Sequence, residues 1–195
     1  MGLSGNSSAS ALERRSLPGR ALGLILALLA GPAFADLAAL PKPAQDSLHA
    51  RAKAMSSALI LGDAAAGFDM LPPALVTQMS ALLGQSEAEF RVRFIENMQT
   101  NRVDTGVTAH HLDLANATVF DGSDGRSYAL IPTFSQAYDP YRGTFRVEGT
   151  TVAIPSADTW YFFTISDAAT LDLLVAAYPA LADAPLVPVT LTPEP

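Results

Sequence analysis

The chain has 195 residues, with 12 Lys and Arg against 19 Asp and Glu, and its formal net charge is −7. This acidic balance argues against a partner such as nucleic acid or an anionic membrane, because affinity for those surfaces rests on contacts of Lys and Arg with phosphate. The chain contains no cysteine, which excludes thiol catalysis, iron–sulfur clusters, thiolate zinc sites and a scaffold held by disulfides.

The first 35 residues are organised as a secretory signal peptide. Basic residues, among them Arg14 and Arg15, precede an apolar run over 21–30, and the small-x-small sequence 33–35 follows it. The run is about half of the roughly 20 residues that span a bilayer. We therefore expect cleavage after Ala35 and a periplasmic or secreted protein rather than a membrane span, with the choice between general and twin-arginine export left open.

Cleavage at that position makes the mature protein more acidic. It removes three of the 12 basic residues and one of the 19 acidic ones, which leaves nine against 18 and a net charge of −9 over residues 36–195. We expect one domain in this segment, with its core over about 45–190, because 160 residues can bury enough apolar surface to be stable alone.

Four helices are predicted from the spacing of apolar residues and from capping signals. The first follows the cap Asp46-Ser47, and the second has Pro73 in its first turn. The third opens with the capping-box sequence Ser86-Glu87-Ala88-Glu89. The last is capped by Asp167 and ends at Pro179.

Strands are predicted for most of the segment between the third and fourth helices. The acid- and glycine-rich stretch 121–125 is typical of a hairpin turn, and 139–143 is a second turn. One further strand is expected at the edge of the sheet near the C-terminus, where proline is tolerated. Residues 152–154 either continue the strand at 144–148 or pair with it. The predicted strands lie at residues 107–114, 117–120, 126–134, 144–148, 159–165 and 186–189.

The strand predicted at 159–165 is apolar on both faces. Trp160 and Phe162 point to one side of the sheet, while Tyr161 and Phe163 point to the other. A strand of this kind is central and covered twice, by helices on one face and by a sheet, a loop or another subunit on the other. These four aromatic residues are therefore the predicted pocket or interface residues, and the order of elements predicts an α+β domain.

Several short motifs resemble uncharacterised bacterial exported proteins of the NTF2-like, cystatin-related α+β type. They are Gly62-Asp63, Leu71-Pro72-Pro73, Tyr128-Ala129-Leu130-Ile131-Pro132-Thr133, Asp158-Thr159-Trp160-Tyr161-Phe162-Phe163 and Tyr178-Pro179. The resemblance implies N-terminal helices packed on a curved antiparallel sheet as a cone, with a short C-terminal helix in addition. It further implies an apolar pocket and a homodimer through the outer sheet face, and some members are enzymes.

Few residues are candidates for chemistry. Tyr128, Asp113 and Asp158 lie on or beside predicted strands and are the candidate acid–base residues, since burial in an apolar cone raises the pKa of a carboxyl group. His110 and His111 are adjacent and face opposite sides of a strand, so no metal site is predicted. No phosphate loop, cofactor motif or serine nucleophile elbow is present.

Two functions are compatible with these observations. The first is non-enzymatic binding of a small apolar ligand or a protein partner by an exported domain. The alternative is an isomerase, lyase or hydrolase that acts in an apolar pocket. The fold itself does not decide between the two.

Overall fold

A computed structural model of the protein describes residues 35–104 and 106–194. The described residues belong to one compact unit, 32–195. The helices are α1 (Lys42–Leu61), α2 (Ala64–Phe68), α3 (Pro73–Leu82), α4 (Glu87–Asp104) and α5 (Ala168–Ala177). The strands are β1 (Ala35–Asp36), β2 (Gly106–Leu112), β3 (Thr118–Asp121), β4 (Ser127–Asp139), β5 (Gly143–Ser156), β6 (Thr159–Thr164) and β7 (Thr190–Pro193). The predicted signal peptide lies outside the described residues, apart from Ala35.

Two of the predicted helix starts have the hydrogen bonds expected of their capping residues. The Glu89 carboxylate accepts a hydrogen bond from the Ser86 amide at 2.8 Å, and the Glu89 amide donates to Ser86 Oγ at 3.2 Å, which confirms the capping box. Asp167 caps α5 in the same way. The predicted start of α1 was wrong, because the helix begins at Lys42. Proline is favoured in a first turn because it lacks the amide hydrogen that would have no partner there.

The seven strands form one antiparallel sheet, which confirms the α+β class. The two long strands β4 and β5 pair over most of their length at its centre, residues 129–139 with 143–153. On the edge of β4 that faces away from β5, β3 pairs with the first half of β4 and β2 with its second half. On the edge of β5 that faces away from β4, β7 pairs with the first half of β5 and β6 with its second half. The sheet is therefore four strands wide at any point along β4 and β5, with β1 added beside β3.

Residues 152–154 continue the strand at 144–148 within the single strand β5, which is one of the two expected arrangements. The predicted position of the C-terminal strand was wrong, because this strand is at 190–193 instead of 186–189. Val189, the residue before β7, donates its amide to the Ile165 carbonyl at 2.8 Å. The proline-containing segment 185–189 therefore passes the end of β6 without forming a strand.

The sheet separates two apolar clusters. Trp160 and Phe162 on β6 belong to the first cluster, which also contains Leu48 and Ala52 of α1. Phe163, on the opposite face of the same strand, belongs to the second cluster. The expected alternation of the aromatic strand is therefore present, and each face has its own cover.

The second cover comes from the same chain. Leu174 of α5 is fully buried in the second cluster, together with Tyr178 and Leu181 of the segment that follows it. A short α-helix can cover this face because Asp167 turns the chain directly back over the sheet after β6. The expectation of a sheet, loop or second subunit in this position was incomplete, since a helix was not among the covers considered.

Candidate functional site

An apolar pocket of about 460 Å³ opens between α1, α2, α4 and the sheet. Its walls are aliphatic, thioether and aromatic side chains, and the polar side chains among the described lining residues are Asp63 and Thr164. No Lys, Arg or His is among those lining residues. The lining includes Met55, Met70, Phe94, Met98, Phe162 and Thr164.

Helices α1 and α2 place one wall of the pocket. Helix α1 ends at Gly62, whose φ of 66° lies in the left-handed region that glycine adopts without strain. Asp63 then caps α2, since its carboxylate accepts a hydrogen bond from the Ala66 amide at 3.0 Å. This tight corner turns α2 away from α1 and leaves the space that the pocket occupies.

Helix α4 is held beside α2 by a cluster of three aromatic rings. The centroids of Phe68 and Phe94 lie 5.3 Å apart in an edge-to-face arrangement, and Phe68 and Phe90 lie 5.8 Å apart. Arg91 stacks its guanidinium over the Phe68 ring and pairs with Asp69. The hydrogen bond from Arg91 lowers the pKa of Asp69. These contacts fix the wall that carries Phe94 and Met98.

A row of three threonine hydroxyls crosses the sheet on the face that α1 covers. Thr133 Oγ1 lies 2.7 Å from Thr151 Oγ1, which lies 2.7 Å from Thr164 Oγ1. Thr133 and Thr151 are buried, at 7% and 0% exposure, and Thr164 lines the pocket. Buried hydroxyl groups are costly without partners, and here they satisfy each other. The row brings a polar group to the floor of an otherwise apolar space.

A second cleft, of about 530 Å³, lies between α1 and β2. Here Ser56 Oγ on α1 lies 2.9 Å from His110 Nδ1 on β2. His49, Lys53 and His111 also line the cleft. Among the described residues, no three His, Asp or Glu side chains are placed to hold a metal ion.

The Ser56–His110 pair is poorly suited to general-base catalysis at neutral pH. Burial, with a smaller contribution from the neighbouring His111, lowers the pKa of His110 from 6.5 to about 4. The imidazole is therefore neutral at pH 7 and can accept the serine proton. A base of this pKa is nevertheless weak, because general bases work best when their pKa lies near the operating pH.

Tyr128 lies away from both cavities. It has no exposed surface and belongs to the second cluster, under α5. Its hydroxyl donates a 2.7 Å hydrogen bond to Asp124 in the β3–β4 turn. Burial, followed by this bond, raises the pKa of Tyr128 above its ordinary value. The hydroxyl thus ties the turn to the sheet.

Asp113 and Asp158 lie in two other turns. The Asp113 carboxylate bonds the side chain and amide of Asn116, which lowers the pKa of Asp113. Asp158 is exposed in the β5–β6 turn, where its carbonyl accepts a hydrogen bond from Ser47 at 3.2 Å. In the described part of the chain, neither carboxylate hydrogen-bonds to Tyr128, so the structure does not bring the three candidates together.

The four aromatic residues of β6 are divided between the two faces. Trp160 and Phe162 lie on the face that α1 covers, where Trp160 donates Nε1–H to the Ala44 carbonyl at 3.1 Å. Phe162 and Phe163 are both among the residues that line the pocket. Phe163 packs in the second cluster, and Tyr161, which points the same way, is half-buried.

Sequence reasoning missed the threonine row and the Ser56–His110 pair. Both are contacts between residues distant in the chain, 18 residues for Thr133 and Thr151 and 54 for Ser56 and His110. One part of the row was predictable, because the alternation of side chains along a strand places Thr164 on the same face of the sheet as Phe162.

Comparisons with protein-family models, curated proteins and solved structures find no match for this chain. Over the part that the structure describes, no helix is long and apolar enough to cross a membrane. The functional conclusion therefore rests on the geometry of the cavities.

Proposed function

We propose that the protein is an exported, non-enzymatic domain that binds a small apolar ligand in the pocket between α1, α2, α4 and the sheet. The observation that carries this proposal is the pocket itself. Its volume of about 460 Å³ lies within the range of roughly 300–1,000 Å³ typical of small-molecule sites. Its lining is apolar apart from the Thr164 hydroxyl and the Asp63 carboxylate, and an apolar lining with few polar groups is typical of small-molecule sites.

The resemblance to NTF2-like proteins supports the same proposal. In that family the helices and the concave face of a curved sheet enclose an apolar cone. In this chain α1 and the aromatic strand share the first cluster, through Leu48 and Phe162. We take the pocket as the counterpart of that cone, open at the side where Met98 is 41% exposed.

A fluorescence titration with N-phenyl-1-naphthylamine, a neutral apolar probe, tests the proposal on residues 36–195. The Cβ of an alanine at Gly67 would meet no atom within 4 Å, so Gly67→Leu adds a side chain on the pocket wall without a clash of its Cβ. We expect saturable binding at one site, weakened at least about tenfold by Gly67→Leu. Gly67→Ala, which adds one methyl group, and Ala54→Leu on the exposed side of α1 serve as matched controls and retain binding.

Absence of saturable binding by the wild-type protein rules the proposal out. Equal loss of binding in Gly67→Leu and Ala54→Leu also contradicts it, because the effect then does not come from the pocket. Circular dichroism of each variant establishes that the fold is retained.

The alternative function is a hydrolase, and the Ser56–His110 pair is the observation that favours it. Ser56 would attack the carbonyl carbon of an ester while its proton passes to His110 Nδ1, 2.9 Å away. The ester C–O bond then breaks and the alcohol leaves with that proton, after which water hydrolyses the acyl group from Ser56. Turnover of p-nitrophenyl esters that disappears in Ser56→Ala supports this function. Equal rates for the wild-type protein and Ser56→Ala remove it.

A homodimer through the outer sheet face is part of the proposal. Helix α5 covers the half of that face that contains Phe163. The remaining half of the face presents Tyr138, which is 49% exposed, and Phe134. The guanidinium of Arg146 stacks over the Phe134 ring, 4.7 Å from its centroid. Light scattering on residues 36–195 with Tyr138→Glu as the disrupting variant decides the matter. A mass of one chain for the wild-type protein contradicts the dimer.

A further inference from the structure

We infer that the pocket selects uncharged ligands that carry one hydrogen-bonding group, a hydroxyl or a carbonyl, and that Thr164 is the residue that recognises this group. The inference rests on the proposed binding function and narrows it to a ligand class. It follows from the threonine row, from the charge of the pocket lining and from the position of Thr164 at the floor.

The row ends in a hydroxyl that can act as donor or acceptor. Thr133 Oγ1 has one proton and two acceptors within reach, Thr151 Oγ1 at 2.7 Å and the Ile131 carbonyl at 3.1 Å. When the proton goes to Thr151, Thr151 can donate to Thr164, and the Thr164 proton is free for a ligand carbonyl. When the Thr133 proton goes to the Ile131 carbonyl, Thr151 can donate to Thr133 and Thr164 can donate to Thr151. Thr164 then offers its lone pairs to a ligand hydroxyl.

The position of Thr164 makes this hydrogen bond selective. Thr164 shares its face of β6 with Phe162, and both line the pocket. A polar group placed against the other walls would lose its hydration without gaining a partner, which is unfavourable. A ligand is therefore oriented with its polar group toward Thr164 and its apolar body toward Met55 and Met98.

The lining also disfavours anions. No basic side chain is among the described residues that line the pocket, and the charged one is Asp63. Its carboxylate is exposed at the corner between α1 and α2. A carboxylate or phosphate in the pocket would lose hydration without a compensating cation and would be repelled by Asp63. This excludes fatty-acid anions and leaves alcohols, phenols and ketones.

The contribution of the hydrogen-bonding group and that of a negative charge can be separated with three compounds that share the naphthalene ring: naphthalene, 2-naphthol and 2-naphthoate. Their binding can be followed by NMR of ¹³C-methyl-labelled methionine. Met55, Met70 and Met98 line the pocket, and Met98 also lines a neighbouring groove between α3 and α4 that contains Met79. Shifts at the Met55 and Met70 methyl groups with little change at Met79 place the compound in the pocket.

We expect 2-naphthol to bind about three- to tenfold more tightly than naphthalene, the gain for one net hydrogen bond, and 2-naphthoate to bind most weakly. Thr164→Val, which has nearly the same shape, removes the preference for 2-naphthol, and Thr164→Ser retains it. Thr192→Val changes an exposed threonine on β7 that does not line the pocket, so it retains the preference as the matched control. Thr151 keeps Thr133 as a partner in Thr164→Val, so this variant is expected to fold.

The outcomes distinguish this inference from the function on which it rests. If neither naphthalene nor 2-naphthol shifts the Met55 and Met70 methyl groups, the binding function itself fails. If both bind equally and Thr164→Val changes nothing, the function stands and the inference is overturned. Tightest binding by 2-naphthoate overturns it as well.

Discussion

Ser56 Oγ lies 2.9 Å from His110 Nδ1, and this hydrogen bond joins helix α1 to strand β2. The two residues are 54 positions apart in the chain, so the contact exists only in the folded protein. It places an imidazole in a partly buried position where its charged form is unfavourable. The stability of the fold should therefore depend on pH through this one side chain.

The free energy of unfolding is expected to fall as the pH is lowered from 7 to 5. The pKa of His110 is about 4 in the folded protein, against an ordinary value of 6.5, so between these values the unfolded chain binds a proton that the folded chain does not. We expect a loss of about 1 kcal/mol over this interval, after allowance for the water that reaches the ring. Urea unfolding at pH 7 and pH 5 measures it.

His110→Gln should remove most of this pH dependence, because glutamine does not titrate and still offers Ser56 a hydrogen-bonding group. His111→Gln is the matched control, since His111 is exposed on the neighbouring position. An unchanged slope in His110→Gln would show that another group controls stability in this range.

Tyr128→Phe is expected to lower the free energy of unfolding by about 1–3 kcal/mol, the usual value for a lost hydrogen bond to a charged group. The ring is fully buried and its hydroxyl bonds Asp124. Tyr141, 92% exposed in the β4–β5 turn, provides the control Tyr141→Phe, which should stay within about 0.5 kcal/mol of the wild-type protein. Equal stability of the two variants would contradict a structural role for the Tyr128 hydroxyl.

Gly122→Ala should destabilise the fold, whereas Gly67→Ala should stabilise it. A Cβ at Gly122 would lie 2.6 Å from Tyr128 Cε2 and 3.1 Å from Ala180 Cβ, a contact that cannot open without moving the buried Tyr128 ring or the turn 179–181 after α5. At Gly67 the added methyl meets nothing within 4 Å and reduces the entropy of the unfolded chain, a gain of about 0.5–1 kcal/mol. Thermal unfolding of both variants compares them, and the same sign of change in both would contradict the account.

Ala157→Gly is expected to stabilise the β5–β6 turn by a few tenths to about 1 kcal/mol. Ala157 has a φ of 48°, a left-handed conformation that costs an L-residue roughly 1–2 kcal/mol, and glycine avoids this strain at a smaller entropic cost. Ala182→Gly is the opposite control, because Ala182 has an ordinary φ of −59° and glycine there should destabilise. A loss of stability in Ala157→Gly would show that the turn carries no strain.

Local signals were sufficient for much of the secondary structure. The capping boxes at Ser86 and Asp167 use residues three apart in the chain, so both helix starts were predictable from the sequence. The turns at 121–125 and 139–143 are equally local, and they gave the hairpins that organise β3, β4 and β5. Prediction was less accurate where proline allows several arrangements, as at the start of α1 and before β7.

The aromatic stretch 159–165 shows where sequence and tertiary structure each contribute. The period of two in a strand is a property of the backbone, so the sequence alone determined that Trp160 and Phe162 face one way and Phe163 the other. What lies against each face depends on contacts between distant segments, and only the tertiary structure placed α1 on one side and α5 on the other. The pocket and the threonine row at its floor have the same origin, because they are formed by residues that meet only when helices and strands pack together.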